Sequence, residues 1–220
     1  MTKTKKGAGR SPQPAKGPAY ERILDTAFKA FMENGYAGTS TLKIATRAQV
    51  SKRDLYANFS SKQAILVACI AGRAAHMRLS PTLPAPRSRE MLEATLRDFG
   101  TTVIREVSQP AVTAMFRLAI AEAGNSTEVA QTLEEARSTN RAALAALLGA
   151  AQASGILGAG DSEQMMEQFF ALLWGDLLLS LLLGVAATPK RAEIERRAHA
   201  ATEAFFRLHS SNQEPQNMNN

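Results

Sequence analysis

The chain has 220 residues, 45% apolar and 6% aromatic, with 26 Lys and Arg against 20 Asp and Glu, a formal net charge of +6. That length supports one large domain or two small ones with a real core. A single Cys excludes a disulfide-stapled scaffold and a Cys-rich zinc site and fits a reducing compartment. His76, His199 and His209 are too scattered for a metal cluster, so neither metal nor other cofactor is expected. No apolar segment of signal-peptide type stands near Met1, and cytoplasmic residence is expected.

Positive charge is concentrated at one end. Residues 1–80 hold 14 Lys and Arg against 4 Asp and Glu, a balance of +10, whereas residues 81–220 hold 12 against 16, a balance of −4. A basic first third joined to a mildly acidic remainder points to a polyanion-binding module followed by something else. The leader (Lys3, Lys5, Lys6, Arg10, Lys16) supplies half of the basic balance, and the other half falls in residues patterned to fold.

Along the chain, residues 1–18 contain no large apolar side chain beyond Met1 and carry three Pro, so a disordered basic tail is expected. From residue 19 onward helical spacing dominates. Residues 19–34 place Ile23, Leu24, Ala27, Phe28 and Phe31 on one face and stop at Asn34-Gly35. Short helices are expected at 40–47 and 51–57, then a longer one over 61–79. TLPAPRS (82–88) reads as a Pro-broken linker. Further helices are expected over 88–107, 110–123, 126–153, 161–186 and 189–209, with breaks at Pro110, Gly124-Asn125, Gly155 to Gly160 and Pro189. Residues 210–220 read as a second disordered tail. The fold class is therefore all-α, with about nine helices and no internal repeat.

Two helices of about two turns cannot stand alone in water, so neighbours must pack them and caps must start them. Ser40 or Thr39 can cap the first. Ser51 followed by Asp54 fits a capping box for the second, and Ser60 followed by Gln63 opens the next helix by the same logic. Ile44, Ala45, Ala48, Val50, Leu55 and Phe59 supply apolar contacts, and a tight turn at Ala48–Val50 joins the pair. This is helix-turn-helix geometry, which presents the start of the second helix to a DNA major groove.

These residues resemble the TetR/AcrR family of transcriptional regulators. The first helix matches through Arg22, Ile23, Leu24, Ala27, Phe31, Gly35 and Tyr36. The match continues with Thr39 and Ser40, Ile44-Ala45, Ala48, Val50 and Ser51, Leu55, Tyr56 and Phe59, and Ser61-Lys62. Gln49 stands where Gly is frequent in the turn, Arg53 where a small residue begins the second short helix, and Asn58 where His is common. MFRLAIAEAG (115–124) with Gly155 and Leu157 is similar to the AefR-like subgroup. The resemblance implies a helix-turn-helix domain over 19–66, with the motif at about 40–59, and a helical effector-binding and dimerisation domain over 67–209.

Affinity for DNA comes mostly from neutralised phosphates and sequence choice from base edges. By resemblance, Thr41, Ser51, Tyr56, Asn58 and Lys62 sit on phosphates, beside Ser40 at the start of the preceding helix. Lys52 and Arg53 are the candidate base readers, because Arg pairs bidentately with guanine. Lys43 and Arg47 are placed to track the backbone. Each assignment has a structural rival: Ser51 is a cap in any case, Asp54 is a capping-box acid or an Arg53 partner, Tyr56 could be core, and Leu55 and Phe59 are core.

The apolar run FFALLWGDLLLSLLLGVAA (169–187) invites a membrane reading. Its longest stretch without an internal charge, Leu177 to Pro189, is about 13 residues where a span needs about 20, and Asp176 would be costly in lipid. No membrane partner is expected. By resemblance, 161–186 and 189–209 pair with their copies in a homodimer, the last helix offering Ile194, Ala198, Ala201, Phe205 and Leu208 on one stripe with Ala204 beside it. The partners expected are double-stranded operator DNA, a second copy and a small-molecule effector. Met91, Phe99, Val103, Met115, Phe116, Met166, Phe170 and Trp174 are candidate chamber walls for a hydrophobic or amphipathic effector, each with plain core as its rival. Asp176 could meet a cationic ligand, pair with an Arg across the dimer, or do neither. Cys69 reads as a buried thiol or, alternatively, a redox sensor. No nucleophile elbow, nucleotide loop or carboxylate pair suggests an enzyme. The functional expectation is a repressor released by its ligand, with a constitutive dimeric DNA-binding protein as the alternative.

Overall fold

The structure, a computed structural model, describes residues 17–76 and 85–209. Within them the chain is all-helical, with ten helices: α1 Pro18–Asn34, α2 Thr41–Arg47, α3 Lys52–Asn58, α4 Lys62–His76, α5 Arg89–Val107, α6 Pro110–Ala123, α7 Thr127–Ala153, α8 Ser162–Trp174, α9 Leu177–Leu183 and α10 Arg191–His209. Residues 1–16 of the expected 1–18 tail, the expected tail at 210–220, the end of the 61–79 helix and the first half of the 82–88 linker lie outside the described residues, while Pro18, expected in the tail, opens α1. Two compact units are present, Met1–Cys69 and Ile70–Asn220, with the division inside α4.

In the first unit, α1 starts with Pro18 at its first position, where a missing N–H costs nothing. Its inner face carries Ile23, Ala27, Phe28, Ala30 and Phe31 into a core completed by Ile44, Leu55, Phe59, Ile65 and Leu66. Tyr20 stacks on Phe59 with ring centroids 4.9 Å apart. The Cys69 thiol is buried and lies 3.6 Å from the Leu24 carbonyl, the geometry of a packed structural side chain.

In the second unit, α10 packs against α5 and α8, α7 against α8 and α6, and α6 against α9. Its core runs through an aromatic ladder: Phe99 lies 6.3 Å from Phe169, which meets Phe205 edge-on at 5.7 Å, which in turn meets Phe206 edge-on at 6.0 Å. Ser88 and Ser126 cap α5 and α7 with side chains that accept the backbone N–H groups of Met91 and Val129.

The structure corrects two expectations. The single helix expected over 161–186 is two helices, bent by 57° at Gly175-Asp176, which raises the count from nine to ten. Gly175 adopts φ 46 and ψ −124, which a side chain would resist, and the last carbonyl of α8, on Trp174, accepts from Arg197 Nη1 at 3.2 Å. At the other end of α9, Arg117 donates from Nε to Leu182 O at 2.7 Å and from Nη2 to Leu181 O at 2.6 Å. Each guanidinium thus sits on the negative end of a short helix dipole. The second correction concerns α10: Ile194, Ala198, Ala201 and Phe205 are buried inside the subunit, so they cannot form the free stripe expected to meet a second copy. Only Leu208 of that stripe is exposed.

No single described helix is long and apolar enough to cross a membrane. The bent pair α8 and α9 would qualify only jointly, and it packs Met165, Met166, Phe169, Leu173, Leu177 and Leu181 into the core.

Close approach of α5 to α8 and α10 depends on Gly100, where an added Cβ would fall 2.8 Å from Leu173 Cδ1 and 3.3 Å from Ala198 Cβ. Gly100→Val will therefore overpack this junction and lower stability by about 1–3 kcal/mol in denaturant titrations. Gly149→Ala in the same unit, whose nearest neighbours would be 3.8 Å away, will be neutral or stabilising by about 0.5–1 kcal/mol.

Candidate nucleic-acid interface and internal chamber

Helices α2 and α3 are seven residues each, and their ends are closed by side chains. Ser40 caps α2 by accepting the Lys43 N–H; Thr39, the other candidate, is buried and donates its hydroxyl to Ala30 O and Gly35 O. Ser51 and Asp54 form the reciprocal capping box at the start of α3. Hydrogen bonds from the Ser51 hydroxyl and backbone N–H hold the Asp54 carboxyl below the usual carboxylate range. At the start of α4 it is Ser61, not Ser60, whose hydroxyl accepts the Ala64 N–H. The cap lies one residue later than the Ser60–Gln63 spacing suggests, because α4 begins at Lys62.

The turn between α2 and α3 closes as a Schellman motif. Val50 N–H donates to Ala45 O and Gln49 N–H to Thr46 O, with Gln49 left-handed at φ 53. This is the position where the sequence pattern favours Gly, and Gln occupies it under strain.

The expected DNA-facing residues fall into two groups. Lys52, Arg53 and Tyr56 are exposed on one side of α3, and the Thr41 and Tyr56 hydroxyls share a hydrogen bond of 3.1 Å that ties α2 to this face. The Lys52 ammonium stands 5.9 Å from the Tyr56 ring centroid. The second group is engaged within the unit. Arg47 pairs with Glu33 at 2.6 Å and holds that carboxyl below its usual range. Lys43 donates to Asn34 Oδ1 at 2.7 Å, and Asn58 Nδ2 donates to Asp54 O at 2.8 Å. Lys62 donates to Tyr36 O and Thr39 O at 2.9 and 3.0 Å, with its ammonium 4.1 Å from the Tyr36 ring. Two of its three donors therefore clamp the loop between α1 and α2. Sequence reading passed over Leu42, which is 63% exposed beside Thr41. A helical wheel that buries Ile44 turns Leu42 outward, and that was the available signal.

In the second unit a chamber of about 510 Å³ is lined from α5 to α9. Of the eight expected wall residues it brings together Val103, Phe116, Phe170 and Trp174. Phe99, Met115 and Met166 are buried in the core instead, and Met91 is half-buried away from the lining. Asp176 is exposed outside the lining and accepts a hydrogen bond from Ser180 Oγ at 2.7 Å at the start of α9. Polar lining comes from α7, notably Arg137, Asn140 and Arg141, which carry no signal in an apolar pattern. Arg141 pairs with Glu167 at 3.1 Å and Arg137 with Glu134 at 3.0 Å. No group of His, Cys, Asp and Glu able to hold a metal occurs among the described residues.

Residues 23–69 match the family model described as bacterial regulatory proteins, tetR family, and residues 94–210 match that of the AefR-like transcriptional repressor, C-terminal domain. Among solved structures, a TetR transcriptional regulator from Agrobacterium tumefaciens is 27% identical and aligns with a TM-score of 0.78 over 89% of this chain and 96% of its own. The flavonoid-responsive regulator FrrA is also 27% identical, with a TM-score of 0.74 over 88% of this chain and 98% of its own. The HTH-type transcriptional regulator YvkB of Bacillus subtilis is 22% identical over 180 residues, which is 81% of this chain and 92% of that protein.

The turn and cap geometry sets two opposite expectations for thermal or urea unfolding of the first unit. Gln49→Gly will relieve the left-handed strain and stabilise by about 0.5–1 kcal/mol after the entropy of the extra glycine is offset. Ser51→Ala will remove the cap of α3 and cost about 1 kcal/mol.

Proposed function

Since the chain belongs to the TetR family of bacterial regulatory proteins and carries an AefR-like C-terminal domain, it is a DNA-binding transcriptional regulator, and we propose that it is a homodimeric repressor released from a near-palindromic operator by a small hydrophobic or amphipathic molecule. One observation carries this reading: Thr41, Lys52, Arg53 and Tyr56 present donors on one face of α2 and α3, while the nearby carboxylates of Asp54 and Glu33 are already engaged. Such a face offers net positive charge to phosphate and a guanidinium to base edges. In this proposal Arg53 and Lys52 read bases, and Thr41, Tyr56, Ser40 and the exposed Ser51 hydroxyl approach the backbone. Lys43 and Arg47 reach phosphate only by exchanging Asn34 and Glu33 for it. Asn58 and Lys62 hold the shape of the reader through their hydrogen bonds.

One reading head covers a few base pairs, so two heads one helical turn apart, about 34–36 Å, are needed to select a site. The second copy is assigned to the outward faces of α8 and α10, where Leu172, Ala200 and Ala204 line a shallow groove between Arg196 and Arg197, and where Leu208 continues the exposed face. The chamber supports a ligand-responsive second unit over one that only dimerises, and FrrA, described as flavonoid-responsive, offers a relative with that kind of behaviour. Release follows if the ligand binds better to a conformation whose heads are misplaced for DNA. The domains are accordingly proposed as 19–66 for reading and 67–209 for effector binding and dimerisation, with α4 carrying the chain between them.

Selection of bound sites from a random duplex pool will return a near-palindrome, and six neutralised phosphates per dimer would give a log–log salt slope of about −5. Arg53→Ala will relax choice at one position of each half-site by about 1–3 kcal/mol, whereas Tyr56→Ala will weaken all sequences alike. A selected motif unchanged by Arg53→Ala would remove its base-reading role. Sedimentation showing a monomer at micromolar concentration would remove the dimeric mechanism.

A further inference from the structure

The charged lining of the chamber has an arrangement that plain solubility does not require. Arg137 and Arg141 stand one helical turn apart on the same face of α7, with Asn140 between them on that face, and all three line the chamber. Two like charges at this spacing repel. Each is balanced from a different direction: Arg137 by Glu134 on its own helix, both more than half exposed, and Arg141 by Glu167 of α8, whose side chain is 64% exposed. Arg141 is the more enclosed guanidinium, 28% exposed and centred 5.9 Å from the Phe170 ring. The two lining carboxylates, Glu106 and Glu167, stand on separate helices, and Glu106 accepts from its neighbour Arg105 at 3.0 Å. One helix face thus offers an anion two guanidiniums a turn apart, whereas the two lining carboxylates come from separate helices and each already accepts from an arginine. The exchange is inexpensive, because an exposed Glu167 returns to water at little cost and exposed ion pairs of this kind contribute little. Beyond the guanidiniums the walls are Phe116, Phe170 and Trp174.

We propose that the chamber takes an amphipathic aromatic monoanion, a flat ring system bearing one carboxylate, sulfonate or ionised phenol, with its rings against Phe116, Phe170 and Trp174 and its anionic oxygens on Arg141 and Arg137. This rests on the chamber being the effector site and adds the charge and shape of the occupant. Arg141 sets the preference for charge, since its planar fork binds such oxygens bidentately. Arg137, at the solvent edge, adds a weaker second contact.

Two dyes sharing the same rings test it: 1-anilinonaphthalene-8-sulfonate, an anion, and N-phenyl-1-naphthylamine, its counterpart without the sulfonate. Trp174 is the one tryptophan of the chain, so energy transfer from it reports a dye in or beside the chamber. The full-length protein will bind the sulfonate about tenfold more tightly than the neutral dye. Arg141→Gln will reduce that ratio to about one to threefold by weakening the sulfonate more than the neutral dye, Arg141→Lys will fall between, and Arg137→Gln will lower the ratio less. Far-ultraviolet circular dichroism checks that each variant is folded, and Arg137→Gln, on an exposed side chain, keeps the test open should Arg141→Gln unfold. Equal binding of the two dyes, or a ratio untouched by both glutamine variants, overturns the anion assignment and leaves the chamber as a site for neutral ligands. Failure of both dyes to draw transfer from Trp174 overturns the effector-chamber reading and this inference with it.

Discussion

A helix of seven residues cannot persist in water, because the cost of nucleating it is recovered only over many more residues. The reading face is built from two such helices, so everything it does depends on what holds them from outside. Ile44 and Leu55, both 0% exposed, tie one side of each to the core contributed by α1 and α4. Ser40, Ser51 and Asp54 satisfy N–H groups that would otherwise be orphaned, and Lys62 fastens the loop ahead of α2 through two carbonyls. The outward side chains are then left to meet phosphate and bases with little reorganisation, which is how a small rigid head binds without a large ordering cost.

The same economy governs the second unit in a different form. Its most apolar segment is interrupted by Gly175, and the terminal carbonyls of the two resulting helices are met by arginines from other helices, Arg197 at the end of α8 and Arg117 at the end of α9. The break lets one short helix serve two surroundings. Leu177 and Leu181 enter the core, while Leu178 and Leu182 line the chamber. A straight helix of the same sequence would turn these leucines along one continuous axis.

Much of this was legible in the residues. Apolar spacing at 3.6 residues, Ser caps and Pro or Gly breaks delimit eight of the ten helices to within a few residues, because those signals are local. The break at Gly175 escaped, since an isolated Gly within a helical pattern is ordinarily tolerated and the group that meets the freed Trp174 carbonyl, Arg197, lies 23 residues away. The assignment of Ile194, Ala198, Ala201 and Phe205 to a surface failed for a related reason. Periodicity reports which face of α10 is apolar, not whether that face meets the same subunit or another. In the reader, Ser51, Asp54 and Gln49 were legible because caps and turns are chemistry of neighbours in sequence. The partners of Lys62 and Arg47 lie 14 or more residues away and were not.

The placement of the aromatic residues has a practical consequence. Tyr20, Tyr36 and Tyr56, the three tyrosines of the chain, all lie in the first unit, and the lone indole of Trp174 lies in the second. Phenol absorbance and indole emission are thus two independent optical channels, one for each unit. Coincident denaturation curves in both would mean that the units melt as one cooperative body, and separated curves that each has its own stability. Tyrosine-to-tryptophan transfer in the native protein would follow any displacement of one unit against the other without a label.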